Sequence, residues 1–322
     1  MKKTILLDTD IGDDIDDAVA LALSLRIPNI QLAAVTTVYK DTVKKAKLAK
    51  NFLEQWGIVD VPVGIGESCP YKNVVNVSEV PCQYPALSQN FTGNLLDDGV
   101  QLILDTVRAN PQITIVSIGP LTNIARAVER EPTTMRDVQI TLMGGMLKHA
   151  YCEGNITSDP EAAHIVFNSG MSITMLPLDI TLMAEITSSL QNKMFAVEHP
   201  GMKMLERMAE LWKRDCLVNI LKSWGSYIDG DEIEASLGIH DPMTVACVAR
   251  PELFTKRPKL ILVERKGEYT RGVTVESINA FTSQPCGYNA DVVVDVKLEE
   301  FMEWFVYTMT CDDNIAIGAI KG

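Results

Sequence analysis

Six aspartates between residues 8 and 17 are the residues best suited to chemistry in this sequence. They follow a short apolar run at residues 5–7, in the segment DTDIGDDIDDA. Like charges 4 Å apart repel by about 1 kcal/mol in water and by more in a partly desolvated site. A hard divalent cation with oxygen ligands would relieve that repulsion, so the cluster predicts a cation site. The alternative is an acidic, solvated loop that caps the next helix. The six are Asp8, Asp10, Asp13, Asp14, Asp16 and Asp17.

Two other uses of such a segment fit less well. An EF-hand loop needs an oxygen ligand at its fifth position, but counting from Asp8 that position is Gly12, and no helix is expected before it. A phosphatase with an aspartyl nucleophile also begins with a strand and D-x-D. The lysine and the further acids that it would need downstream have no recognisable place here.

A second candidate group lies far along the chain, at His240 and Asp241. Asp241 could complete an oxygen cage for the cation. His240 could act as a general acid near neutral pH, the alternative being a structural histidine. The third group is Glu153 and Asn155, which an extended segment would point to the same side, where they suit sugar hydroxyls.

The elements that must position these groups alternate between strand and helix. Short apolar runs predict strands at 4–7, 32–36, 113–118, 138–143, 173–177 and 260–263, and helical patterns cover 16–25, 43–56, 97–109, 121–129, 161–168 and 202–224. This order predicts an open, mostly parallel, Rossmann-like α/β sheet with helices on both faces, in one domain spanning residues 1–322. Ligands of such sheets bind outside the carboxyl ends of the strands, where the polar segments fall.

Composition limits the partners and the compartment. A net charge of −13 argues against nucleic acid and anionic membranes, which need clustered Lys and Arg. No apolar run reaches the roughly 18 residues of a spanning helix. The seven cysteines are scattered and never spaced C-x-x-C, which predicts reduced thiols in a cytoplasmic protein without a disulfide framework.

Taken in order, the motifs resemble those of the nucleoside hydrolase (inosine–uridine-preferring nucleoside N-ribohydrolase) family. The match runs nearly end to end. It includes the D-x-D-x-G opening with D-D-A, then AVTTV, GPLTNIA, MGG, DPEAAHIVFNSG, LDIT, HDPMTVA with PELF beyond, and TRGVTV.

The resemblance implies Ca²⁺-dependent hydrolysis of the N-glycosidic bond of ribonucleosides by a metal-bound water, without a covalent intermediate. It implies a role in nucleoside salvage and a homodimer or homotetramer. By position, the metal ligands would be the carboxylates of Asp10, Asp17 and Asp241 and the backbone carbonyl of Thr122. Asp10 would also be the base, Asp16, Asn155 and Glu153 would contact the ribose, and His240 would lie near the leaving base.

The chain departs from the family pattern mostly on the side of the base. The opening motif is two residues longer, Asp41 stands where an Asn is usual near the attacking water, and the H-G-x-x-G-L segment is missing. We therefore expect ribose and metal recognition to survive while base preference changes. Trp224 and Tyr227 could stack on a base, or Trp224 could pack in the core.

Two other functions remain open at this point. The same metal and ribose site could serve another N-ribosyl compound, such as nicotinamide riboside or a modified nucleoside. Alternatively, the protein could bind calcium or a nucleoside without turnover. The joint presence of the acids with Asn155 and His240 disfavours the second of these.

Overall fold

The computed structural model describes residues 2–217, 236–277 and 287–311. Within these ranges no helix combines the length and the apolar character that crossing a membrane requires. The strands are β1 (Lys3–Thr9), β2 (Ile30–Thr37), β3 (Val63–Ile65), β4 (Thr114–Ser117), β5 (Gln139–Met143), β6 (Ser172–Leu176), β7 (Glu185–Ile186), β8 (Leu237–Gly238), β9 (Phe254–Lys259), β10 (Ile261–Val263), β11 (Thr274–Glu276) and β12 (Ala290–Val296). The helices are α1 (Asp16–Arg26), α2 (Thr42–Gln55), α3 (Gly99–Ala109), α4 (Thr122–Arg130), α5 (Pro132–Met135), α6 (Gly154–Ser158), α7 (Pro160–Phe167), α8 (Leu178–Thr181), α9 (Ser188–Phe195), α10 (Pro200–Leu211), α11 (His240–Ala249) and α12 (Leu298–Thr310), with 3₁₀ turns at Tyr84–Ala86 and Pro251–Leu253.

Eight of these strands form a central sheet in the order β3-β2-β1-β4-β5-β6-β12-β9. Neighbouring strands are parallel, except that β9 runs antiparallel to β12 at one edge. The predicted open, mostly parallel sheet is therefore confirmed. The parallel strands end at one edge of the sheet, which we call the carboxyl edge, and β1 lies near the middle of it.

Apolar side chains cover both faces of the sheet. Ile5 and Leu7 of β1 point into one buried cluster, and Leu6 between them points into the other. The first cluster is completed by helices such as α1 and α11, and the second by α3, α4 and α7. This two-sided burial explains why the parallel strands are continuously apolar in sequence.

The prediction of strands was incomplete toward the two ends of the central sheet. β3, β9 and β12 were not predicted, and the strand predicted at 260–263 pairs with β11 outside the central sheet. β9 carries Lys256, Arg257 and Pro258, residues typical of a protected edge strand and not of an apolar core strand. The helix predicted at 202–224 is α10 followed by a π-helical turn, Trp212–Leu217; residues 218–224 lie outside the described ranges.

The cysteine prediction was wrong for one pair, because Cys82 and Cys216 form a disulfide. The two are 134 residues apart in sequence, so no local spacing could have indicated the pairing. The bond ties the long loop after β3 to the turn that follows α10. Four other cysteines, Cys69, Cys152, Cys247 and Cys311, are free thiols.

Candidate active site

Two helix N-termini bring acids from distant parts of the chain together at the carboxyl edge. Asp16 and Asp17 occupy the first turn of α1, and Asp241 occupies the first turn of α11. Carboxylate oxygens of all three lie within 4.8 Å of one another, and the Asp241 backbone N–H donates to Asp16 Oδ2 at 3.3 Å. We call these residues the acid triad. Its members are 3–5% exposed, so their charges are shielded from bulk water.

The electrostatics of the triad favour a cation. Burial raises the pKa of each of the three carboxyls well above its ordinary value, and repulsion from the neighbouring acids, including Asp10, raises it further. Three buried carboxylates in contact are costly unless they are neutralised. Their oxygens are the hard donors that Ca²⁺ or Mg²⁺ prefers, so the donor set fits a divalent cation.

Asp10 follows β1 directly and borders the triad. Burial raises its pKa to about 6, while the charge of Lys45 opposes that rise. Gly119, after β4, faces it: a Cβ on that glycine would lie 2.9 Å from Asp10 Oδ1. A side chain at residue 119 would therefore displace the Asp10 carboxylate. Asp10 is not a member of the triad, although its charge acts on all three members.

Lys45 is a site residue that the sequence analysis missed. Its side chain on α2 is fully buried, and its ammonium donates to the Asp10 backbone carbonyl and, at 2.9 Å, to Asp13 Oδ2. The available signal was position: Lys45 shares the apolar stripe of α2 with Leu48 and Phe52, where a lysine is unusual.

Asp8, near the end of β1, supports the site through buried hydrogen bonds. It is fully buried, and its Oδ1 accepts hydrogen bonds from the Thr36 hydroxyl at 2.6 Å and from Asn123 Nδ2 at 2.7 Å. Asn123 also donates to the carbonyl of Thr37, so one amide joins the ends of β1 and β2. Burial raises the pKa of Asp8 to about 7, against the effect of these hydrogen bonds. Asp8 therefore positions the strand ends.

Glu153 caps α6 from inside the protein. Its oxygens accept from the backbone N–H groups of Gly145, Asn155 and Ile156 at 2.7–3.0 Å. Burial raises the pKa of this carboxyl, and the three N–H groups oppose the rise. The predicted contact with the ribose stays a prediction, because the observed role of Glu153 is to hold the turn around it.

Asn155 joins the ends of two further strands. Its Nδ2 donates to the carbonyls of Ile118, after β4, and Met143, at the end of β5. Among the described residues none donates to its Oδ1, which leaves a half-buried acceptor at the carboxyl edge. That geometry is compatible with the predicted ribose contact.

Thr122 begins α4, close to the same edge. Its buried hydroxyl donates to Asp159 Oδ2 at 2.8 Å. Asp159 also caps α7 through the Ala162 N–H, with Pro160 in the first turn. The side chain of Thr122 thus faces a structural acid, and the use of its backbone carbonyl for the metal stays a prediction.

His240 begins α11, beside the acid triad. Its Nδ1 lies 3.0 Å from the Thr181 hydroxyl at the end of α8. Burial lowers the pKa of the imidazole, and the nearby charge of Asp14 opposes that effect. A Cβ on Gly238 would lie 2.8 Å from His240 Nε2, so only glycine leaves room for the ring. The Thr181 contact and the fit against Gly238 therefore hold the His240 ring in place.

Asp41 caps α2, and it is nearly buried. It accepts from the Lys44 N–H at 3.0 Å and pairs with the Lys44 ammonium. The neighbouring Lys40 instead binds Glu79 at 2.6 Å. The backbones of Tyr39 and Lys40, just before Asp41, have φ of 70° and 60°. Such left-handed residues cost about 1–3 kcal/mol each and are common at functional sites.

The two aromatic candidates for base stacking, Trp224 and Tyr227, lie outside the described residues. Their roles stay predictions.

Comparisons with known proteins agree with one another. A family model described as inosine-uridine preferring nucleoside hydrolase matches residues 5–303. The non-specific ribonucleoside hydrolase RihC of Escherichia coli O127:H6 is 32% identical over 317 residues, which cover 94% of this chain and 97% of the relative. A plant nucleoside hydrolase superposes with a TM-score of 0.81 at 26% identity, covering 97% of this chain and all of that one. The purine-preferring ribonucleoside hydrolase of Gardnerella vaginalis gives 0.77 at 25% identity, covering 96% of this chain and 98% of that one.

We expect Glu153→Gln to destabilise the protein by about 1–3 kcal/mol, because the new amide NH₂ would face backbone N–H groups in a buried turn. Thermal or denaturant unfolding measures the effect. The matched control is Asp98→Asn, which alters the exposed cap of α3 and should cost less. Equal losses in the two variants would contradict the importance of the buried cap.

Proposed function

We propose, since this chain belongs to the inosine-uridine preferring nucleoside hydrolase family and is therefore an N-glycosyl hydrolase, that it splits ribonucleosides into ribose and free base with the help of a bound Ca²⁺. The observation that supports the metal is the acid triad of Asp16, Asp17 and Asp241, buried and within 4.8 Å. The ligands that we propose are the carboxylates of Asp10, Asp17 and Asp241 and the backbone carbonyl of Thr122, which leaves Asp16 for the ribose.

The chemistry of the bond explains why acids surround the site. Cleavage of a C1′–N bond builds positive charge on the sugar ring, as in other glycoside hydrolyses. Carboxylates fixed around the ring stabilise that charge without reorganisation. When bound, the ion would coordinate ribose hydroxyls and lower the pKa of a water.

Individual residues take the following roles in this proposal. Asp10 accepts the proton of the attacking water, and its raised pKa brings it nearer the operating pH of a general base. Asp16 binds a ribose hydroxyl, since its Oδ2 is already held by the Asp241 N–H. Asn155 Oδ1 accepts from a second hydroxyl, and Glu153 lies toward the 5′ side.

His240 is proposed as the donor to the departing base. If the Thr181 hydroxyl donates to Nδ1, the ring proton resides on Nε2, and this N–H can donate a hydrogen bond that stabilises the charge developing on the departing base. Water attacks directly in this scheme, and no covalent intermediate forms. Asp41, near the proposed path of the water, adds a carboxylate whose charge Lys44 balances.

The base, the assembly and the setting of the reaction also belong to the proposal. The relative named non-specific favours testing purine and pyrimidine nucleosides together. A salvage role and a homodimer or homotetramer follow from the family resemblance. A cytoplasmic location loses one of its arguments, because two cysteines are paired and not reduced.

With calcium present, the protein should release reducing sugar from at least one ribonucleoside, and a chelator should abolish the release until calcium is restored.

Asp10→Asn should lower kcat/KM by on the order of 100-fold or more, because it removes the base and a ligand. The control is Asp60→Asn, on an exposed residue, which should remain near wild type. Calcium binding without release from any nucleoside would instead favour a binding protein. Release only from another N-ribosyl compound would redirect the substrate.

The leaving-group role of His240 predicts a loss that depends on the substrate. His240→Ala should lower kcat on inosine by about 100-fold, but should leave a nitrophenyl riboside, whose leaving group needs no proton, within a few-fold of wild type. The exposed His149→Ala serves as control. Equal losses of His240→Ala on both substrates would remove His240 from this role.

A further inference from the structure

A lysine lies buried within reach of the acids that would bind the metal. Lys45 emerges from the apolar face of α2, beside Leu48 and Phe52, and its side chain has no solvent exposure. Its ammonium contacts the carbonyl of Asp10 and the carboxylate of Asp13. It is thus tied to residues 10–15, which we call the acid loop.

The acid loop rests on the same helix. A Cβ on Gly12, whose φ is +119°, would lie 3.4 Å from Leu48 Cδ2 and 2.8 Å from Pro81 Cβ. Gln83 adds two hydrogen bonds, from its N–H to the Gly12 carbonyl and from Nε2 to the Asp14 carbonyl. The loop is therefore clamped between α2 and residues 81–83, and Lys45 supplies the charged contact of that clamp.

Besides its hydrogen bonds, the Lys45 ammonium exerts an electrostatic effect on the neighbouring acids. Its charge opposes the rise in pKa of both Asp10 and Asp17, so it acts on two of the proposed metal ligands. Lys40 lies 4.0 Å from the same Asp13 carboxylate but is part exposed, so water screens it more strongly. In a buried site, a countercharge at hydrogen-bond distance has a much larger effect.

We propose that Lys45 is a resident countercharge: it replaces part of the cation's charge in the metal-free protein and holds Asp10 and the acid loop in place while the ion is absent. The inference rests on the proposed function, because it assumes a cation at the triad. It assigns Lys45 as a positioning residue, which touches neither the substrate nor the reacting atoms.

The same helix provides a matched control. Lys50 is also buried, but its ammonium donates to the backbone carbonyls of Val59 and Val61, at 2.7 and 3.0 Å. Neither residue belongs to the acid loop. Methionine at either position keeps an unbranched chain of similar length and removes the charge. Only the change at residue 45 should alter the response to calcium.

The experiment compares thermal unfolding of wild type, Lys45→Met and Lys50→Met in chelator and in excess calcium chloride. Lys45→Met should lower the unfolding temperature in chelator by about 5 °C, since it leaves buried acids unpaired. Calcium should recover most of that loss, so the calcium-induced shift becomes larger than in wild type. Calorimetric titration should show calcium bound about tenfold more tightly, because a positive charge near the ion is gone. Lys50→Met should lose equal stability in both conditions.

A second variant keeps the test decisive if Lys45→Met does not fold without calcium. Lys45→Met combined with Asp13→Asn removes both charges, and it should regain part of the stability in chelator. An unchanged or smaller calcium shift in Lys45→Met, or no recovery in the double variant, would overturn the inference. No calcium shift in wild type would instead overturn the metal centre. The stability of the double variant in chelator would still test whether Lys45 neutralises Asp13.

Discussion

Repulsion among buried carboxylates is the constraint on which this structure depends. Asp16, Asp17 and Asp241 meet with almost no access to water, and Asp10 adds its charge to theirs. A fold does not gather such groups without compensation, since each unpaired buried charge costs several kcal/mol. The N-termini of α1 and α11 offset part of the cost through their dipoles, and Lys45 offsets another part. The remainder fits a divalent cation.

The parallel sheet explains how residues so far apart in sequence share one site. β1 ends beside β2 and β4. Side chains beyond the strand ends connect neighbouring strands by hydrogen bonds: Asn123 connects β1 to β2, and Asn155 connects the ends of β4 and β5. These amides make the carboxyl edge rigid. A rigid arrangement of acids is what stabilisation of a cationic sugar ring requires, because the charges must already be oriented when the bond breaks.

The sequence predicted the sheet, because apolar periodicity is a local signal. The structure places Asp241 beside Asp16 and Asp17, whereas the predicted ligand set of Asp10, Asp17 and Asp241 stays a prediction. The sequence analysis missed β9, whose charged edge residues conceal a strand, and the disulfide between Cys82 and Cys216, which depends on tertiary proximity alone. It also missed Lys45, because burial of an ammonium depends on the carboxylates that the fold brings to it. The capping role of Glu153 was not predicted either, since its donors include Gly145, which precedes the turn.

The most direct test of the metal centre is a crystal structure grown with calcium and a ribonucleoside analogue that cannot be cleaved. We predict one ion held by the carboxylates of Asp10, Asp17 and Asp241 and by the carbonyl of Thr122, with ribose hydroxyls completing its coordination. An acid triad without an ion at saturating calcium, its carboxyls protonated and hydrogen-bonded to one another, would contradict this prediction.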